Sequence, residues 1–232
     1  MIQVELSGGV ATLTMDDGKA NAMNFDFFES LHAALDRAEA GRASALVFRG
    51  RPGFFSGGLD LKLIPTLTPV RLRALAVQFG RAILRVHGLP VPTLALCQGH
   101  AIAGGAILAL ACDARLAVDG PGRFHLNEVA IGIPLPSWAI LVAGSTIPAQ
   151  WRNRLLLQAR PLDWRQCADI GLVDALISPE ADLEARLRTA AAELQVLDRA
   201  AFALTRRRMR EADIQGALSL LEGELDDQIP SL

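Results

Sequence analysis

Stretches of strand character alternate with stretches of helical period through the first half of the chain, and this alternation constrains the fold more than any other feature of the sequence. Residues 2–6 and 10–15 read as two strands around Ser7-Gly8-Gly9, a hairpin signal. From residue 24 to residue 40 apolar side chains recur at Phe27, Phe28, Leu31 and Leu35, a helical spacing that Asn24 can cap. Residues 45–48 form a compact apolar strand, followed by a loop rich in Gly and Pro. Residues 70–87 are an amphipathic helix, with Leu72, Leu75, Phe79, Ile83 and Val86 on its apolar side. A buried strand over 92–97, a Gly-rich turn, a helix over 105–112 and a strand over 114–118 complete the pattern. Parallel strands joined by helical crossovers place the chain in the α/β class.

Beyond Pro134 the sequence reads as almost wholly helical, apart from the strand-like residues 172–177. No linker or low-complexity stretch interrupts it. The expected organisation is a core over residues 1–197 and a helical C-terminal segment over 198–232, packing on the core or on a neighbouring subunit.

With 232 residues, the chain can bury one substantial core, and an apolar share of 51% rules out general disorder. The charge is nearly balanced, 23 Lys+Arg against 25 Asp+Glu, which excludes a general nucleic-acid or anionic-membrane binder. Cys97, Cys112 and Cys167 lie far apart with no Cys-x-x-Cys pair, and Met1 runs straight into strand-like sequence with no secretory leader. The longest apolar tract, residues 101–111, is too short and too Gly-rich to span a bilayer. The expectation is a soluble protein of the reducing cytoplasm, with neither nucleic acid nor membrane as partner.

Three segments carry chemistry. In Phe55-Ser56-Gly57-Gly58-Leu59-Asp60-Leu61-Lys62, paired glycines let a peptide N–H face a cavity, and a short helix starting near Leu59 would add its dipole. The same stretch also reads as a plain strand-to-helix turn. In Gly99-His100-Ala101-Ile102-Ala103-Gly104-Gly105-Ala106, the helix start offers backbone N–H groups to an anion or simply packs closely on a strand. A phosphate loop is excluded there, because Gly105-Ala106 stands where Lys-Ser/Thr is needed. In His125-Leu126-Asn127-Glu128, a carboxylate precedes an apolar run, a setting that raises a pKa toward neutrality, although a solvated loop Glu has the same sequence. The remaining histidines are scattered, His100 alone lying within a Gly-rich turn, and no cluster has metal-ligand spacing, so no metal is expected.

The order of these segments resembles the crotonase (enoyl-CoA hydratase/isomerase) superfamily. Phe55–Lys62 is similar to the family's Phe-Ser/Cys-Ala-Gly-x-Asp-Leu/Ile-Lys motif, and residues 99–113 to its glycine-triplet strand–helix segment. Residues 124–134 (FHLNEVAIGIP) resemble the segment that carries its glutamate, Lys19-Ala20-Asn21-Ala22-Met23-Asn24 its stretch beside coenzyme A, and residues 168–173 its Ala-x-x-x-Gly-Leu-Val turn. The resemblance implies a spiral of ββα turns with a helical C-terminal extension, assembled as a homotrimer or a hexamer of paired trimers. It implies an acyl-CoA substrate and no cofactor beyond the coenzyme A that the substrate carries. It places an oxyanion hole at the peptide N–H groups of Leu59 and Gly104 and a catalytic carboxylate at Glu128. Lys19, Ala20, Ala22, Gly58, Asp60, Leu61 and Lys62 fall on the substrate-binding stretches.

The chain departs from the family pattern in informative places. Ala103 replaces the first glycine of the triplet, a modest change if its φ is negative. Ile107 stands where hydratases carry one of two catalytic glutamates, while Glu128 matches the other. One base suffices to move a double bond from the β,γ to the α,β position, so the expected activity is isomerisation of 3-enoyl-CoA to 2-enoyl-CoA. Leu126-Asn127-Glu128 with Pro136-Ser137-Trp138 is most similar to the Δ3,Δ2-enoyl-CoA isomerases, with Asn127 beside the substrate and Trp138 drying the acyl pocket. Hydratase, thioester hydrolase and decarboxylase activities remain as alternatives, as does a non-catalytic oligomeric or RNA-binding role. The basic run Arg206-Arg207-Arg208 reads either as a contact for a coenzyme A phosphate or as a solvated helix face.

Overall fold

A computed structural model describes residues 2–225. In chain order the elements are β1 (Ile2–Ser7), β2 (Val10–Met15), α1 (Phe25–Ala40), β3 (Ala45–Arg49), β4 (Gly53–Ser56), α2 (Pro69–His87), β5 (Thr93–Cys97), β6 (Gly99–Ile102) and α3 (Gly104–Ala111). There follow β7 (Ala114–Val118), β8 (Arg123–His125), α4 (Ser137–Thr146), β9 (Leu162–Asp163), α5 (Trp164–Asp169), β10 (Ala175–Ile177), α6 (Leu183–Gln195) and α7 (Arg199–Leu220).

The elements form two sheets. The larger has the order β1-β2-β3-β5-β7-β10, antiparallel at the β1–β2 hairpin and parallel from β2 onward. The smaller has the order β4-β6-β8-β9, parallel until the antiparallel β8–β9 pair. Strands β3, β5 and β7 thus lie side by side in one sheet, their successors β4, β6 and β8 lie side by side in the other, and α2, α3 and α4 close the turns. The result is a spiral of ββα units.

The central strands are mostly apolar because both faces are covered. On β3, Leu46 and Phe48 join the main core beneath the helices, while Val47 points the other way and packs with Leu187 and Ala191 of α6. Residues Leu94 and Leu96 on β5 face α6 in the same way, and Ala95 and Cys97 face the main core. The caps on the first two helices follow the sequence: Asn24 Oδ1 accepts the Phe27 N–H at 2.9 Å, and Thr68 caps α2.

Three expectations are corrected. The segments read as a Gly/Pro loop and a Gly-rich turn contain strands β4 and β6. Gly99 pairs with Gly53, and a Cβ on Gly99 would lie 2.0 Å from the Gly53 carbonyl carbon, so this glycine marks close strand approach rather than a turn. No helix starts at Leu59; Asp60 closes a turn there, and the helical stretch nearby is a single 3-10 turn at Ile64–Thr66. Of the basic run, Arg207 and Arg208 are exposed, as on a solvated helix face, but Arg206 is not. It is buried, donates to the Leu89 carbonyl at 2.9 Å and pairs with Asp113, which Arg210 also approaches at 3.5 Å.

The ion pairs tie α7 to the loop after α3 and the Leu89 hydrogen bond ties it to the loop after α2, and α7 packs along α2 and α4. Residues 226–232 of the expected C-terminal helical segment lie outside the described residues. Among the described residues, no helix is long and apolar enough to cross a membrane.

Candidate active site

The site begins at Gly58. The Met23 N–H donates to the Gly58 carbonyl at 2.8 Å, and the Asp60 N–H donates to the Met23 carbonyl at 3.0 Å. This parallel bridge uses the residues flanking Leu59, so the Leu59 N–H itself turns to the opposite side. Gly58 has φ +81°, and a Cβ there would come within 2.9 Å of the Gly104 nitrogen, the Ala103 Cβ and the Ile102 carbonyl. Glycine is required on both counts, and it brings the Leu59 peptide next to the first residue of α3. Among the described residues, neither the Leu59 N–H nor the Gly104 N–H has a protein acceptor. Gly104 opens α3, so the helix N-terminus adds positive potential at the same point.

Ala103 departs from expectation. Its backbone has φ 48° and ψ −123°, a left-handed conformation that Gly adopts freely and Ala does not. The strain is held in place by the Ala103 N–H bond to the His125 carbonyl at 2.8 Å, and it aims the next amide, that of Gly104.

Both amides border a cavity of about 130 Å³ that is also lined by Ile107, Asn127, Glu128 and Trp138. Glu128 follows β8 and opens a 3-10 turn over Val129–Ile131, with its own carbonyl accepting the Ile133 N–H at 2.9 Å. The backbone of that turn is thus satisfied locally, and the side chain is free to enter the cavity. Its Oε2 is buried without a partner among the described residues, and burial pushes the carboxyl up to about 7. The Asn127 Oδ1 is likewise buried and unpartnered among them. Ile107, on the first turn of α3, is 1% exposed and presents only hydrocarbon. Trp138 packs edge-on against Phe79 with ring centroids 4.8 Å apart, forming an apolar wall. Two convergent N–H donors, one desolvated carboxyl and an apolar wall can hold a carbonyl oxygen, take a proton beside it and exclude water.

The other expected binding residues lie around this centre rather than in it. Gly57 donates to the Ala20 carbonyl at 2.8 Å, and Arg51 Nη1 donates to the Lys19 carbonyl at 2.7 Å, so the segment with Lys19, Ala20 and Ala22 runs alongside the Gly57–Asp60 backbone. The Asp60 carboxylate is occupied by the Lys62 and Leu63 N–H groups, as a turn cap. Leu61 lies on the cavity rim, and Lys62 is exposed. His100 leaves the site, since it stands on β6 against the Phe54 ring at 5.1 Å.

Sequence reasoning missed two sets of residues. Asn21, in the left-handed region with φ 51°, staples its loop to β2 and β4 through the Met15 carbonyl at 2.9 Å and the Phe55 carbonyl at 3.1 Å. The Asp16-Asp17-Gly18 turn just before it is the signal that marks such a loop. Leu221, Glu224 and Leu225 also line the cavity, and no local pattern in the C-terminal segment points to them.

A ββα spiral whose adjacent turns bring two peptide donors and a carboxyl to one cavity defines the acyl-thioester enzymes of the crotonase class. The chain belongs to the enoyl-CoA hydratase/isomerase family, which it matches over residues 5–223. It is 33% identical to a putative enoyl-CoA hydratase of Thermus thermophilus over 189 residues, covering 79% of this chain and 74% of that protein. It is 26% identical to human mitochondrial enoyl-CoA delta isomerase 1 over 215 residues, covering 91% of this chain and 71% of that one. Among solved structures it resembles an apo enoyl-CoA isomerase of Mycobacterium tuberculosis, with a TM-score of 0.88, 28% identity and coverage of 97% of both chains. The relatives therefore carry both names, and the choice between the two activities rests on the residues of the site.

Proposed function

We propose that this protein isomerises 3-enoyl-CoA to 2-enoyl-CoA with Glu128 as its single base. The observation that carries this reading is the pairing within one cavity of a partnerless Glu128 Oε2, held at a pKa of about 7, with the wholly apolar Ile107. The thioester carbonyl accepts hydrogen bonds from the Leu59 and Gly104 N–H groups. Glu128 takes a proton from C2, and the electron pair moves into a dienolate whose oxygen charge those donors stabilise, each by about 3 kcal/mol. The neutral Glu128 carboxyl then returns the proton to C4, leaving the double bond between C2 and C3. No water takes part, and Ile107 and Trp138 keep it from the dienolate.

Hydration is the second reading, favoured by the name of the Thermus relative and by one further carboxylate on the cavity wall, Glu224. Glu224 differs from Glu128 in that its Oε2 is occupied by the Ser137 N–H at 2.9 Å. Incubation with matched 3-enoyl-CoA and 2-enoyl-CoA, followed by absorbance and mass, separates the two. Isomerisation leaves the mass unchanged, whereas hydration adds one water.

A further inference from the structure

One wall of the cavity is formed by the turn that follows α7. Leu221 and Leu225 are 3% and 4% exposed and both line the cavity. Leu221 sits hard against α2, its Cδ1 2.6 Å from where a Cβ on Gly80 would lie, with the Trp138 Nε1 3.1 Å from the same point. Helix α4 begins without a cap of its own: Pro136 offers no side-chain acceptor, and no acid stands in the first turn. Glu224 supplies both from 87 positions along the chain, its Oε2 accepting the Ser137 N–H at 2.9 Å. Two residues earlier, Arg73 Nη2 donates to the Glu222 carbonyl at 2.8 Å, and Arg81 pairs with the Glu222 carboxylate at 3.2 Å. The turn is therefore fixed on α2 and on α4, the two helices that wall the cavity.

We propose that Leu221 and Leu225 set the length of acyl chain this site accepts, and that Glu224 is the positioning residue that holds them in place by capping α4. The inference rests on the acyl-CoA reading of the cavity and deepens it to short-chain enoyl-CoA substrates. A longer chain has to displace two buried leucines and break the cap, whereas a short chain fits beneath them. Glu224 acts here as a hydrogen-bond acceptor for a backbone amide, not as an acid or base on the substrate.

The test is a binding series on the full chain with non-reacting saturated acyl-CoAs from butanoyl to dodecanoyl, measured by calorimetry, with turnover on enoyl-CoAs of matched length. Wild type should favour the short chains. Leu225→Ala and Glu224→Ala should shift the preference toward long chains by roughly tenfold, the scale of selectivity set by a few methylenes in an apolar pocket. Leu225→Phe should shift it the other way, which keeps the test open if an alanine variant fails to fold. Glu224→Gln retains an oxygen for the Ser137 N–H and should keep the wild-type chain-length profile. A chain-length profile unchanged in the Leu225 and Glu224→Ala variants overturns the proposal, as does a profile shifted toward long chains in Glu224→Gln. A wild-type protein that binds no acyl-CoA at all overturns the acyl-CoA reading itself.

Discussion

Glu128 is costly to the fold in the form that the proposed catalysis needs. Its carboxyl is raised from 4.5 to about 7 because burial penalises the charge. Below about 4.5 the group is protonated in both folded and unfolded chains, and no penalty arises. Between about 4.5 and 7 the unfolded chain ionises its solvated carboxyl while the folded protein keeps the buried one protonated, so stability falls across that window and levels off above it. Activity runs the opposite way, since only the deprotonated carboxylate accepts a proton: kcat/KM should climb with pH to a plateau above about 7. Glu128→Gln should lower turnover at least about a hundredfold while acyl-CoA binding is retained. The same variant should melt higher than wild type at pH well above the Glu128 pKa and no higher in acid. A melting temperature unchanged at both extremes would contradict the desolvated carboxyl. Ala103 is strained for a different reason, its positive φ of 48°. Replacing it with Gly should stabilise the protein by about 1 kcal/mol, read by denaturant unfolding, because the backbone strain relieved outweighs the extra freedom of Gly in the unfolded chain.

At the scale of elements, the sequence was most legible where burial is two-sided or a cap is local. Residues 45–48 and 94–97 are unbroken apolar runs because α6 covers one face and the main core the other, and Asn24 marks the start of α1. The second layer was not legible from periodicity. β4, β6 and β8 have 4, 4 and 3 residues, too short for alternation to register, and their glycines carry a turn signal that close strand approach produces equally well. Only the order of motifs implied those strands, through a resemblance to known ββα spirals. That same order named Leu59, Gly104, Ile107, Asn127, Glu128 and Trp138, which line one cavity, but it carried no sign of Leu221, Glu224 or Leu225. A contact across 87 positions has no local signature. The contact between layers makes its own prediction. A Cβ on Gly105 would lie 2.2 Å from the Ser56 carbonyl oxygen, so Gly105→Ala must push α3 away from β4. The expected cost is about 1–3 kcal/mol of stability by denaturant unfolding, with a further loss of turnover, because α3 carries the Gly104 amide. Wild-type turnover in a folded Gly105→Ala protein would show that the position of α3 does not govern the donor.

Across the whole molecule, the site depends on how the C-terminal segment is held. Asp113, after α3, binds Arg206 and Arg210 of α7, and the turn beyond α7 closes the cavity between α2 and α4. Removing Asp113 leaves the buried Arg206 without its carboxylate, a class of change that costs about 3–5 kcal/mol. Asp113→Ala should therefore expose α7 to limited proteolysis before the rest of the chain. Equal protease resistance in the variant and wild type would place the anchor of α7 elsewhere. With the C-terminal turn docked, the cavity is lined by Glu128, whose Oε2 has no partner among the described residues, by the Leu59 and Gly104 peptides and by the hydrocarbon of Ile107, the set on which the proposed isomerisation rests. The most direct test is the ratio of the two activities in the unmodified protein, with 3-enoyl-CoA and 2-enoyl-CoA of matched chain length supplied in parallel. Isomerisation should be the faster by a wide margin, and Ile107→Glu should lose isomerase rate while gaining detectable hydration. Faster hydration of 2-enoyl-CoA than isomerisation of 3-enoyl-CoA by the wild-type protein would contradict the single-base account.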